Sequence, residues 1–231
     1  MVKSRIKLIM IVLMIVLIFV STQMRSYTID KPTTSIKGQK EESKNDLLFS
    51  LDCKCDIEKE YDDLTELCNL AEIVVEGKVV NKKSYVKVGT SIYTNYEVKI
   101  SKIYKGESLT ENVNINVELL GGELTGKEYL EQVDDKDMMM EENEFSEWEL
   151  NEKFVEMHVN DNPFLEIGQD YVLFGTYNND VDIYNIVGVY QGIYEKVSKD
   201  IYVQNSVENS VGTKVDKLVE INKLDIIKNC D

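Results

Sequence analysis

The chain has 231 residues, which is room for one ordinary domain and a leader, and it carries 42 Asp and Glu residues against 26 Lys and Arg. The resulting net charge of −16 repels phosphates, so the composition argues against nucleic-acid binding and favours basic proteins, cationic surfaces or dissolved cations as partners. The same charge would keep the domain soluble without any partner.

Residues 1–25 are predicted to be a signal peptide or a signal anchor. Basic residues precede an unbroken apolar run from Leu8 to Val20. Basic residues stay on the cytoplasmic side while an apolar run enters the bilayer. A run of this length fits a signal peptide and would also make a short membrane span. We therefore expect an exported chain, either released or held at the membrane through residues 8–20.

Residues 26–51 are predicted to be a flexible tether, because their polar composition cannot bury enough apolar surface to offset the entropy of ordering. The folded domain is then expected over residues 52–231. It opens with a predicted short helix that Asp56 would cap and Asn69 would end. The apolar positions of that helix share one face, and they are Ile57, Tyr61, Leu64 and Cys68.

From Ala71 onward the apolar period changes from 3.6 to 2, which predicts β-strands. One long strand is expected over residues 71–88, with Gly77 at a bulge or tight bend. Two further alternating segments follow, at residues 91–106 and 111–122.

Residues 168–192 are predicted to form two more strands around a turn at 178–180. A hairpin-like segment from Tyr194 to Val203 follows, and a terminal helix is expected from Val215 to Asn229. About five strands with Gly at the corners, one helix before them and one after, predict a mainly β domain that closes into a small barrel.

An acidic insertion is expected at about residues 123–162, since this segment is too long for a hairpin loop and too acidic for a strand. We expect it to be partly ordered at best, with Trp148 available to anchor it to the barrel. The carboxylates of Asp134, Asp135 and Asp137 would bind calcium weakly or act only as a solvated charge run.

The domain opens with Cys53-Lys54-Cys55, continues to Cys68-Asn69 and then reaches the strand AEIVVEGKV at 71–79. This order resembles the start of the tissue inhibitors of metalloproteinases and the related netrin-type module, including bacterial exported proteins of unknown role. The segments YEVKISKIYKG (96–106) and GQDYVLF (168–174) resemble later strands of the same family. The resemblance covers about residues 53–193 outside the insertion, and it implies an OB-like, five-stranded closed barrel.

In the animal inhibitors the first Cys is the mature N-terminus, and its amine and carbonyl chelate the zinc of the protease. Cys53 would need a cut after Asp52 to act in this way, and Lys54 would be the specificity side chain. Because no signal-peptidase pattern lies there, we expect Cys53, Lys54 and Cys55 to form a binding edge instead.

Four cysteines in an exported chain predict two disulfides, with three alternative pairings. The family partners of Cys53 and Cys55 have no counterpart here. One pairing joins Cys68 to Cys230 and leaves a strained Cys-x-Cys ring or thiols. We favour the other two, which join Cys53 and Cys55 to Cys68 and Cys230 in either order.

No catalytic constellation is apparent, because any Ser–His or Cys–His pair would have to use His158, the single histidine, which falls in the insertion. We expect no enzyme activity, no cofactor and no metal site. We expect the chain to be a protein-binding module outside the cytoplasm. Its partner would be an unidentified extracytoplasmic protein, for example a metalloprotease. The alternatives are a metalloproteinase inhibitor and a thiol-active surface protein.

Overall fold

The structure is a computed structural model that describes residues 46–54, 61, 63–134, 145–160, 162–204 and 220–230. The strands are Leu47–Cys53 (β1), Ile73–Val88 (β2), Ser91–Lys105 (β3), Asn114–Leu120 (β4), Gly122–Thr125 (β5), Phe154–Val159 (β6), Asp170–Asn178 (β7), Ile183–Ile186 (β8), Ile193–Ser198 (β9), Ile201–Gln204 (β10) and Glu220–Asn222 (β11). The helices are Leu64–Leu70 (α1), Gly126–Gln132 (α2), Glu147–Glu152 (α3) and Lys223–Cys230 (α4).

The domain is mainly β, as the alternation predicts, and its larger sheet closes on itself. That sheet has the order β11-β10-β9-β7-β2-β3-β4-β8. Strand β8 pairs in parallel with β4 and also antiparallel with β7. Strands β2, β3, β4, β8 and β7 therefore form a ring of hydrogen bonds through five strands.

Apolar side chains from all five strands fill the inside of the ring. Val75, Val98, Val117, Leu173 and Ile186, one from each strand, belong to a single buried cluster. Every second residue of a strand points to the same face, so the two-residue alternation puts these side chains together. Each buried aliphatic side chain contributes roughly 1.5–3 kcal/mol relative to an exposed one.

A bulge in β2 lies at the predicted glycine. The register of β2 against β3 shifts between Glu76 and Gly77. A Cβ atom added at Gly77 would lie 2.6 Å from Cγ1 of Val98 and 2.9 Å from the carbonyl oxygen of Lys99. Glycine is therefore required here by the close approach of β3.

A second buried cluster lies on the outer face of β2 and β7. Val74 and Phe174 on these strands pack with Leu67 of α1, Tyr202 of β10 and Ile226 of α4. The two helices and the β9–β10 hairpin thus cover one side of the ring.

The disulfide of this cluster joins Cys68 of α1 to Cys230 of α4, across a sequence separation of 162. The favoured pairing of Cys53 and Cys55 with these two cysteines is therefore wrong. The physical reason is that α1 and α4 pack in the same cluster, which brings their cysteines to a Cα–Cα distance of 5.2 Å. A cross-link of this span stabilises the fold by about 5 kcal/mol in the chain-entropy model.

The segment predicted as an acidic insertion at 123–162 contains regular structure, and that prediction needs correction. It supplies β5, α2, α3 and β6, and β6 pairs with both β5 and β1 in a three-stranded sheet. The inward residues of β6, among them Val155 and Met157, are buried with Tyr129 of α2. Alternation in β6 thus outweighs the acidic composition. Trp148 is 63% exposed, so it does not anchor the segment in the core, and residues 135–144 lie outside the described ones.

The predicted tether is wrong at its end, because residues 47–51 belong to β1. This strand pairs in parallel with β6, and its Phe49 and Leu51 pack against the cluster that contains Tyr129. The short apolar run LLFSL therefore packs on a buried surface. The polar residues around it in the sequence gave no indication of this packing. Residues 26–45, the rest of the tether, lie outside the described residues.

The helix predicted to run from Asp56 to Asn69 is not shown as a whole, and the predicted terminal helix is shown in part. Helix α1 has Asp63 as its N-cap, and the Asp63 side chain accepts a hydrogen bond from the Thr65 amide. Residues 55–60 and 62 lie outside the described residues, so the helix predicted from residue 56 is untested over its first half. At the other end α4 is helical, but β11 occupies residues 220–222, where a helix was expected.

The predicted leader, residues 1–25, lies outside the described residues. Of the helices that the structure describes, none combines the length and the apolar character that a membrane crossing needs.

The bulge leads to a stability prediction. Gly77→Val should lower the free energy of unfolding by about 1 to 3 kcal/mol, because the new side chain would overlap β3. Urea denaturation followed by far-ultraviolet circular dichroism measures this. Lys54→Ala, at an exposed position, is the control and should change stability by no more than about 0.5 kcal/mol. Equal midpoints for both variants would contradict the placement of β2 against β3.

Candidate functional site

The predicted binding edge lies at the end of β1. Cys53 is half-buried, packs against two of the core clusters, and its carbonyl accepts a hydrogen bond from the Asn160 amide at 3.1 Å. Lys54 is exposed, and Cys55 lies outside the described residues. The edge is therefore anchored in the core at Cys53, and the thiol-active alternative stays a prediction.

A polar surface that the sequence did not predict lies on the outside of the ring, on β2, β3 and β4. Its side chains alternate with interior ones such as Tyr96 and Val117, so they point away from the core. We call this surface the amide face. It is lined by Asn81, Lys83, Tyr85, Asn95, Glu97 and Asn116.

The register of the three strands arranges the amide face in rows. Asn81 of β2 is opposite Glu97 of β3, which is opposite Asn116 of β4. In the next row Asn95 lies between Lys83 and Glu118. Together the lining residues form a shallow cleft with a volume of about 360 Å³.

Asn95 is the unusual residue of the amide face. Its Oδ1 atom is buried and, within the described part of the chain, has no hydrogen-bond partner. Leaving a buried acceptor unsatisfied costs about 1–3 kcal/mol, so such atoms are rare without a reason. Asn95, which lines the cleft, therefore carries a buried acceptor that no described group of the protein uses.

The wall beside Asn95 is held by a hydrogen-bonded group. Glu118 is 8% exposed and accepts hydrogen bonds from the Tyr85 hydroxyl and the Lys87 ammonium. Burial raises the pKa of Tyr85, and the neighbouring Glu118 carboxylate raises it further. On the other side, Asn114 donates to Glu97 at 2.6 Å. These contacts fix the walls before any ligand arrives.

A second cleft, of about 420 Å³, lies at the end of the ring where β7 turns into β8. The rings of Tyr177 and Tyr184 lie 5.0 Å apart there. Several of its polar groups already have partners: the Tyr177 amide donates to Glu72 at 2.8 Å, and the Tyr177 hydroxyl donates to Asp182 at 2.6 Å. This cleft lacks the unsatisfied acceptor of the amide face, so it is the weaker candidate.

A buried carboxylate lies on the side of the ring under the β9–β10 hairpin. Glu76 accepts hydrogen bonds from the hydroxyls of Tyr202 at 2.8 Å and Tyr104 at 3.1 Å and from the Lys196 ammonium. Burial acts to raise the pKa of Glu76, but the hydrogen bonds from Lys196 and the tyrosines outweigh it and lower the pKa. All three donors are used internally, so this group ties the hairpin to the ring and offers nothing to a substrate.

His158 falls in the segment predicted as an insertion, but the structure places it in a strand. It lies on β6, where its ring is 3.1 Å from Glu156 and stacks on Phe164 with a centroid distance of 4.9 Å. No group of three His, Cys, Asp or Glu side chains comes together as a metal site in the part of the chain that the structure describes. His158 thus has a packing role in the sheet.

No protein-family model and no curated protein matches the chain. The resemblance to the metalloproteinase inhibitors and netrin-type modules therefore stays a prediction. The amide face was missed because its residues are scattered over three strands. The available signal was the repeated Asn at outward positions of β3 and β4, namely Asn95, Asn114 and Asn116.

The Glu76 group predicts a pH dependence of stability. Folding lowers the pKa of the Glu76 carboxyl below its ordinary value of 4.5. The ionised carboxylate therefore stabilises the fold at pH values above 4.5, and this stabilisation is lost as the pH falls through the lowered pKa. Glu76→Gln should therefore cost about 1–3 kcal/mol at pH 7 and less at pH 3. Denaturant unfolding at both pH values, with wild type alongside, measures the difference. If Glu76→Gln loses more stability relative to wild type at pH 3 than at pH 7, the stabilising role of the ionised Glu76 is contradicted.

Proposed function

We propose that the chain is an exported, non-enzymatic binding module built on an OB-like, five-stranded closed barrel, with the amide face as its binding site. The unsatisfied, buried Oδ1 of Asn95 is the observation that carries this proposal. A protein gains no stability from such an atom, and a ligand that donates a hydrogen bond to it gives it a use.

The ring of hydrogen bonds through five strands supports the proposal of a closed barrel. Its chain order around the ring is β2, β3, β4, β8, β7, with four antiparallel pairs and a single parallel pair between β4 and β8. Side chains from every ring strand meet in one core, as in a small closed barrel whose interior is packed. Rigid strands of this kind hold binding groups more accurately than loops do.

The position of Cys53 disfavours the metalloproteinase-inhibitor alternative. For the amine of Cys53 to become the chain terminus, residues 47–52 would have to be removed. These residues pair with β6 and contribute Phe49 and Leu51 to the core, so their removal would expose an apolar surface. The cost of losing that packing makes an internal Cys53 the better interpretation.

Replacing Asn95 tests the proposal, because a binding residue and a structural residue respond in opposite ways. Asn95→Leu removes the unsatisfied acceptor, so the melting temperature should rise by about 2–4 °C. The same variant should lose binding of the fluorescently labelled, exported chain to the envelope of the cells that produce it. Both quantities are measured on one preparation.

Asn179→Leu, in the exposed turn between β7 and β8, is the matched control and should change neither quantity. A lower melting temperature for Asn95→Leu would mean that the asparagine serves folding. Unchanged envelope binding by Asn95→Leu would also contradict the proposed site.

A further inference from the structure

The amide face offers both hydrogen-bond donors and acceptors with little net charge. We propose that it binds a neutral carbohydrate, held in the cleft by hydrogen bonds to the asparagine side chains. This inference rests on the proposed function and names the ligand class of the same site.

Three of the six lining residues are asparagines, namely Asn81, Asn95 and Asn116. A side-chain amide carries two donors and a carbonyl acceptor, and a sugar hydroxyl is likewise both donor and acceptor. Asn81 and Asn116 flank Glu97 in one row and Asn95 lies in the next, so amides and charged groups alternate on strands about 4.7–4.9 Å apart. Ligands that only accept or only donate would leave half of these groups without a partner.

The charges of the amide face balance. Lys83 and Glu97 line the cleft with opposite charges, and at its border Lys87 forms an ion pair with Glu118. The chain as a whole has a net charge of −16. A phosphate ligand would meet a repulsive field without a basic cluster, and a cationic ligand would find no excess of carboxylates in the cleft. A neutral ligand fits both facts.

One wall of the cleft is aromatic. The ring of Tyr85 lines it, and its hydroxyl is bonded to Glu118, which fixes the ring in place. The C–H faces of a sugar ring pack on aromatic rings, while its hydroxyls point to the polar groups beside them. The combination of one held aromatic ring with several amides therefore suits a sugar better than a peptide.

The Oδ1 atom of Asn95 completes the argument, because it needs a donor and no described side chain supplies one. Because this atom is buried, the Asn95 amide must turn toward the cleft before a sugar hydroxyl between Lys83 and Glu118 can donate to it. Binding then satisfies an acceptor that folding left unsatisfied, so the hydrogen bond is not offset by the loss of an internal one. The loss of this interaction should weaken binding about tenfold or more.

Nuclear magnetic resonance of the exported chain tests the proposal with three neutral probes: cellotetraose, maltotetraose and the tetramer of N-acetylglucosamine. At least one should cause saturable shifts of the Asn95 and Asn116 side-chain amides, while the resonances of the β9–β10 hairpin stay unmoved. Asn95→Leu should raise the dissociation constant at least about tenfold, and Asn179→Leu should leave it unchanged. The amide spectra of both variants check that they fold.

Decathymidylate and a lysine-rich decapeptide serve as the competing ligand classes. Saturable shifts at the amide face with either of them, and with none of the sugars, would overturn the carbohydrate inference while leaving the proposed function intact. No saturable shift with any of the three sugars likewise overturns the inference. If Asn95→Leu also retains envelope binding, the proposed function fails with it.

Discussion

The double pairing of β8 is the constraint on which the rest of the fold depends. Strand β8 spans only Ile183–Ile186, yet it hydrogen-bonds to β4 on one side and to β7 on the other. Without it, the sheet would be open between β4 and β7, and the interior side chains would lose one wall. Closure also removes two exposed strand edges, which would otherwise be available for aggregation. The core and the curvature of β2–β4 both follow from this closure.

The surroundings of the ring stabilise it on two sides and leave the amide face uncovered by described residues. The helices α1 and α4, joined by the Cys68–Cys230 disulfide, cover β2 and β7. The sheet of β1, β6 and β5 builds a third cluster around Tyr129. Rigid support behind a polar cleft holds its groups in position before a ligand binds, which lowers the entropic cost of binding.

Sequence periodicity was a good guide wherever one face of a strand meets the core. The bulge at Gly77, the long strands β2 and β3 and the hairpin of β7 and β8 could all be predicted, because each needs only local alternation and turn chemistry. The segment around Val155 was misjudged because acidic residues dominate its composition, although Val155 and Met157 on one face of β6 are buried. The disulfide and the amide face depend on which strands and helices become neighbours, and one sequence does not contain that information.

Ring closure can be measured directly by nuclear Overhauser effects between backbone protons. We predict contacts between Val117 of β4 and Tyr184 of β8 together with contacts between Gly175 of β7 and Ile186 of β8. Slow amide exchange throughout β8 should accompany them, since both of its edges are hydrogen-bonded. Contacts between β7 and β8 without any between β4 and β8 would mean an open sheet, and would contradict the closed ring.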